Sequence, residues 1–160
     1  KSTYEGLINP DAPCFAAPAS MTAAIREYCI STGQAVPEPP ADYIRCIFRS
    51  LALRYRQVVD ILQSMCDFPI KKLHVIGGGS QNRYLMQYAA NAMNMPVICG
   101  PVEGTALGNV LMQIKSSDSE LTLEKMRKIS ASSVELVTYL PSDTEAWNKE
   151  YERFITLNNK

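Results

Sequence analysis

The spacing of apolar residues changes period several times along this chain, and each change marks an element. From about Asp42, Ile44, Ile47, Phe48, Leu51, Tyr55, Val58, Val59, Leu62 and Met65 recur at intervals of three and four, the signature of a helix face, and Pro69 closes the run. A shorter helix opens earlier at Ser20, a suitable N-cap. It carries Met21, Ala24, Ile25, Tyr28 and Cys29 on one side and stops at Thr32-Gly33. Ahead of it, residues 1–19 hold Pro10, Pro13 and Pro18 and predict an irregular arm hugging the surface. Pro37, Pro39 and Pro40 predict a rigid link between the two helices.

Beyond Pro69 the period switches. Leu73-His74-Val75-Ile76 is a strand-like run that ends in Gly77-Gly78-Gly79, with a polar helix start at Ser80. Tyr84, Leu85, Tyr88, Ala89, Ala92 and Met93 restore helical spacing, and Pro96-Val97-Ile98-Cys99 predicts a short buried strand closed by Gly100-Pro101. A helix from Glu103 to about Ile114 carries Leu107, Val110, Leu111 and Ile114 on one side. Its interior Gly104 and Gly108 each cost about 1 kcal/mol relative to alanine, so close approach to the sheet, to another helix or to a flat ring is expected there. A helix from about Thr122 to Ile129 and a strand over Val134–Tyr139 follow. After Pro141, Ser142 and Glu145 read as a capping box for a closing helix over residues 142–160, with Trp147, Tyr151, Phe154 and Ile155 on its buried side.

The resulting order is helix, helix, strand, helix, strand, helix, helix, strand, helix, which predicts an α/β fold with a mostly parallel sheet in one domain spanning residues 1–160. Three short strands are few for such a sheet, whose faces and edges need cover. The chain also opens Lys1-Ser2-Thr3 without methionine, so it reads as a piece of a longer protein whose other strands lie upstream. Self-association across the uncovered edge and sheet face is expected.

Composition narrows the function classes. The chain has 160 residues, 46% of them hydrophobic and 20% charged, with 16 basic and 16 acidic residues and no block of either sign. That excludes a basic nucleic-acid footprint and a polybasic membrane patch. No apolar stretch approaches the ~20 residues of a membrane span. The five cysteines Cys14, Cys29, Cys46, Cys66 and Cys99 are odd in number, form no CxxC pair and mostly fall on predicted apolar helix faces, so a reducing, cytoplasmic setting is expected. The lone histidine, His74, reads as a strand residue with a satisfied ring, and no metal site is expected. Arg45, Arg49, Arg54 and Arg56 scatter around their helix and read as its solvated surface.

The candidate chemistry sits at Gly77-Gly78-Gly79. Glycines let a main chain approach a bulky ligand, and a helix start beyond them presents unpaired N–H groups and a positive dipole end, as phosphates and nucleotides require. A plain βα turn, needing glycine only for its angles, fits the motif equally. A dinucleotide fingerprint fails, because the third glycine position holds Asn82 and the second strand ends without an acid. A Walker A loop fails for want of Gly-Lys-Ser/Thr.

Several strings together carry a family likeness. Gly6-Leu-Ile-Asn-Pro10, Ala24-Ile-Arg-Glu-Tyr28 through Thr32-Gly-Gln34, Cys46-Ile-Phe-Arg-Ser-Leu-Ala-Leu53, Leu73 to Asn82 and Gly100-Pro-Val-Glu-Gly-Thr-Ala-Leu-Gly-Asn109 resemble the carboxy-terminal part of the FGGY carbohydrate kinases, over about Gly6 to Tyr139. The glycine element is shared across that family. The flanking strings favour one ketose-specific branch over the xylulose, glycerol and fuculose kinases, and Gly104 stands where alanine is usual.

The resemblance implies part of a ribonuclease H-like, actin-like ATPase domain, and an enzyme that moves a phosphoryl group from Mg2+-ATP to the 1-hydroxyl of a ketose while an aspartate takes the hydroxyl proton. It implies that Gly77, Gly78 and Gly79 pass beneath the nucleotide near the ribose and α-phosphate, that Asn82 offers its amide to the adenosine part, and that residues 103–109 support this loop. It places the catalytic aspartate and the phosphate loops upstream of this chain. Asp11, in the arm, and Asp42, a helix cap, are not promoted to that role, so the chain alone is expected to be inactive. A non-catalytic nucleotide-binding or regulatory module with the same half-fold, or another sugar kinase of the family, is the alternative.

Overall fold

The computed structural model describes residues 2–133 and 135–158. Six α-helices and three strands follow in the expected order: α1 (Met21–Ser31), α2 (Pro40–Ser64), β1 (Leu73–Val75), α3 (Arg83–Met93), β2 (Val97–Cys99), α4 (Gly104–Ser117), α5 (Leu123–Ser132), β3 (Val137–Tyr139) and α6 (Thr144–Asn158). β2 is central. It pairs in parallel with β1 (Leu73 opposite Val97) and antiparallel with β3 (Val97 opposite Tyr139). The parallel arrangement thus holds for β1–β2, and β3 enters from the other direction. Of the strand expected over 134–139, residues 137–139 form the ladder, and Val134 lies outside the described residues, as do Asn159 and Lys160 of the closing segment.

The principal core lies between the sheet and the α2–α3 pair, where Val59, Leu85, Met86, Ala89, Ala90, Met93, Val97 and Cys99 are buried together. Alanines at 89, 90 and 92 let α3 approach its neighbours closely and are fully covered. Two further clusters join the arm and α6 to α2: Leu7, Ala52, Leu53, Ala92 and Phe154, then Ile8, Ile25, Cys29 and Cys46. The cysteines are free; Cys29, Cys46 and Cys99 are buried, and Cys66 lies two residues past α2.

Five expectations are corrected. The arm does not merely hug the surface, since Gly6, Leu7 and Ile8 are buried. Its main chain can be buried because side chains satisfy it: Gln34 Oε1 accepts from Leu7 N–H (2.9 Å), Ser50 Oγ from Ile8 N–H (2.9 Å), and Arg45 Nε donates to Tyr4 O (2.7 Å). For the same reason Arg49 is no solvated residue. It is 6% exposed, donates to Tyr4 O and pairs with Glu150 at 2.6 Å. Meanwhile part of the apolar stripe of α2 faces outward, with Ile44, Val58, Leu62 and Met65 exposed. The closing helix begins at Thr144, two residues later than expected. Ser142 is bonded through both N–H and Oγ to the buried Asn91 Oδ1, and Glu145 pairs with Lys149 instead of capping. Finally, α3 starts at Arg83, not Ser80, because Asn82 supplies its cap.

Candidate functional site

The triple-glycine bend follows the carboxyl end of β1, beside the carboxyl end of β2, the side on which open α/β sheets bind ligands. Two hydrogen bonds hold the turns together there: Gly100 N–H to Val75 O (2.9 Å) and Gly77 N–H to Pro101 O (3.2 Å). Gly77 has φ +83°, a region that disfavours side chains, and that angle turns the chain out of the strand. Gly78–Gln81 then forms one 3-10 turn, tied back by Ser80 N–H (3.1 Å) and Ser80 Oγ (2.7 Å), both donating to Gly77 O. Ser80 is therefore a buried brace of the turn rather than the helix start. Asn82 Oδ1 accepts from Leu85 N–H at 3.1 Å, which caps α3 and leaves the Asn82 Nδ2 group as the part available to a ligand.

The space beside the glycines separates the two readings of the motif. A Cβ built at Gly78 or Gly79 would meet no atom within 4 Å, and neither residue has a positive φ. Only Gly77 is a glycine for its own angle. Among the described residues, the N–H groups of Gly78 and Gly79 have no acceptor, so this bend offers two donors beside an open, side-chain-free surface. These features fit an anionic group drawn close to the main chain. In α4, a Cβ at Gly104 would touch Ile76 and Pro101 at 3.4 Å, so this glycine brings the helix against the bend, whereas one at Gly108 meets nothing within 4 Å.

Next to the bend lies a cleft of about 490 Å³. Ser80 and Gln81 form its near side, Cys99 and Gly100 its floor, and Pro101–Glu103 with Leu107 one wall. The opposite wall comes from Glu135, Val137 and Tyr139. Burial pushes the Cys99 thiol above its ordinary pKa, so it stays protonated on the floor. The sequence reading missed the opposite wall, since only the β2–β3 pairing brings residues 135–139 here. Gly77, Gly78, Gly79 and Asn82 are brought together as expected, while His74 lies exposed on β1, opposite Ile98. Asp11 pairs with Arg54 at 2.6 Å, and Asp42 Oδ1 accepts from Ser2 Oγ at 2.6 Å. Among the described residues, no group of three or more His, Cys, Asp or Glu could hold a metal ion, and no helix is long and apolar enough to cross a membrane.

The profile of the FGGY family of carbohydrate kinases, C-terminal domain, matches residues 4–117. A rhamnulokinase of Bacteroides thetaiotaomicron is 50% identical over 151 residues, covering 94% of this chain and 31% of that protein. A rhamnulokinase of Pectobacterium atrosepticum is 41% identical over 155 residues, covering 97% and 31%. The chain thus spans about a third of the length of these relatives. A crystal structure of xylulose kinase from Rhodospirillum rubrum superposes with a TM-score of 0.60 at 19% identity, over 79% of this chain and 26% of that one, a likeness of fold.

Proposed function

Because this chain belongs to the FGGY family of carbohydrate kinases, we propose that it forms the nucleotide-side part of an ATP-dependent sugar kinase whose acceptor is L-rhamnulose, giving L-rhamnulose 1-phosphate and ADP. The observation that carries the nucleotide role is the open glycine bend, where Gly78 and Gly79 leave both their N–H groups and their side-chain space to something outside the chain. In this reading those N–H groups donate to oxygen atoms of the ribose–phosphate part, and the amino end of α3 favours their negative charge. Asn82 Nδ2 donates toward the adenosine part while Oδ1 holds the helix. ATP supplies the phosphoryl group, and Mg2+ travels on its phosphate oxygens. The sugar assignment rests on the rhamnulokinase relatives.

No proton acceptor for the sugar hydroxyl comes from this chain in our reading, because Asp11 and Asp42 are already engaged. The 160-residue chain alone is therefore inactive, and ADP release dependent on L-rhamnulose from the purified chain would contradict this. The positive test is a chimera in which the chain replaces the matching third of the Bacteroides thetaiotaomicron relative. It should release ADP faster with L-rhamnulose than with xylulose or fuculose. A folded chimera without turnover on any ketose would leave the non-catalytic module as the better reading. A xylulose or fuculose preference would move the assignment within the family.

We also propose a cytoplasmic setting, supported by the free cysteines, and self-association of the isolated chain across the uncovered sheet edge and face, where Ile76, Val137 and Leu140 are exposed. Light scattering should show mass rising with concentration, and a constant monomer mass would refute the association.

A further inference from the structure

Another cleft, of about 910 Å³, opens between the arm, α2, α3 and the start of α6, a volume within the range of small-molecule sites. Two polar side chains in its lining are more than nine-tenths buried, Arg49 at 6% exposure and Asn91 at 7%. Arg49 is engaged by Tyr4 O and Glu150. Asn91 is engaged at one end only. Its Oδ1 accepts from Gln87 Nε2 (2.8 Å), Ser142 N–H (2.9 Å) and Ser142 Oγ (3.3 Å). A main-chain N–H can only donate, so the amide is fixed with its oxygen toward Ser142. That leaves Asn91 Nδ2 a donor with no acceptor among the described residues, on a side chain that lines the cleft. A buried side chain whose donor the fold leaves open has a place for an acceptor from outside.

The rest of the lining selects the class of occupant. Four carboxylates stand there against three cations, and two of those cations are already paired, Arg49 with Glu150 at 2.6 Å and Lys149 with Glu145 at 3.5 Å. Arg45 donates to Tyr4 O and Tyr88 Oη, while among the described residues the carboxylates of Glu5 and Asp143 pair with no cation. An anion would meet this surplus of negative charge. An ammonium group would suit the carboxylates but has no lone pair to offer Asn91 Nδ2. A hydroxyl group both donates and accepts, so a compound with several of them matches Asn91 on one side and Glu5 and Asp143 on the other. Tyr88 and Trp147, their ring centroids 5.3 Å apart, add aromatic surface against which the C–H groups of such a compound can pack. We propose that this cleft binds an uncharged polyhydroxyl compound, a free sugar or polyol. Asn91 is eight residues beyond Arg83, about 12 Å along α3 from the end nearest the glycine bend, and the proposal stands apart from the nucleotide reading.

The test is a titration of the isotopically labelled 160-residue chain with L-rhamnose, D-glucose and glycerol in turn, each to high millimolar concentration. The signals to follow are the Asn91 side-chain amide, the Trp147 indole N–H and the Thr144 main-chain amide. At least one of the three compounds should move all of them saturably, and inorganic phosphate and ethylamine should leave them in place. Silence with all three compounds, or a drift without saturation, would overturn the site. An equal response to phosphate or ethylamine would overturn the class of ligand. As a second arm, Asn91→Asp keeps an oxygen for Ser142 and Gln87 but removes the free donor, and it should weaken binding at least fivefold. Asp143→Gly removes an acceptor at a residue whose φ of +51° suits glycine, so it reads the site even where the first variant unfolds. It should weaken binding with an unchanged thermal midpoint. Full affinity in either folded variant would count against the proposal.

Discussion

Gly6 and Gly78 are both glycines in irregular chain, and the structure treats them oppositely. A Cβ at Gly6 would collide with the hydroxyl edge of the Tyr4 ring, whose hydroxyl donates to Ala35 O and contacts Cys29 Sγ at 3.3 Å. The arm is packed against α1 and α2 so closely that its own neighbours demand the missing side chain. At Gly78 nothing beyond the adjoining residues comes within 4 Å of that position. One region spends its small residue on internal packing, while the other keeps an unfilled place. A glycine that the fold itself does not need is the better pointer to a ligand; Gly108 on α4 is equally free of neighbours, and the N–H groups of Gly78 and Gly79, unpaired among the described residues, are what set the bend apart.

The comparison breaks first at the arm's anchor. Arg49 fixes the arm through Tyr4 O and fixes α6 through Glu150, with its guanidinium buried. Burial lowers its pKa, and the Glu150 carboxylate opposes that shift. Arg49→Ala removes one partner of a largely buried pair and should cost about 3 kcal/mol, read as a lower urea midpoint at unchanged slope. A loss below about 1 kcal/mol would mean that Arg153, 3.1 Å from the same Glu150 oxygen, carries the pairing by itself. Next in size, Gly6→Ala forces the Tyr4 ring out of its place and should cost about 2 kcal/mol, as overpacking does. Stability equal to that of the parent chain would show the arm to be loosely seated and would remove one side of the contrast.

The two regions were also unequally legible. Helix number and order followed from spacing, and the cap at Ser20 is realised, its oxygen accepting from Ala23 N–H, while Thr122, expected as a helix start, stands one residue earlier as the cap that accepts from Lys125 N–H. The glycine bend was readable because strand, turn and helix are local. What escaped was nonlocal. Counting apolar residues on α2 selected Ile44, Leu62 and Met65, which face outward, and passed over Arg49 and Ser50, which are buried because the arm's main chain satisfies them. Ser142 and Glu145 had the spacing of a capping box, but Asn91, 51 residues away in sequence, captured Ser142. The cleft wall at Val137 and Tyr139 was hidden for the same reason. The β2–β3 register that creates it has no local trace.

The smallest effect on stability carries the sharpest test of the contrast. Gly78→Ala adds one methyl group to a 3-10 turn where φ is not positive and no protein atom stands in the way. Alanine also restricts the unfolded chain, so thermal or urea unfolding should show a gain of about 0.5 kcal/mol, opposite in sign to the change at Gly6. The methyl group would nevertheless project from the surface whose N–H groups are assigned to the nucleotide. Binding of ADP to the chain, or turnover of the chimera, should fall while the fold gains. A loss of stability would mean that the fold itself needs a glycine in the bend, as it does at Gly6. A gain in stability with undiminished ADP binding would place the nucleotide elsewhere, since a bare main chain at this point would then serve neither the fold nor a ligand.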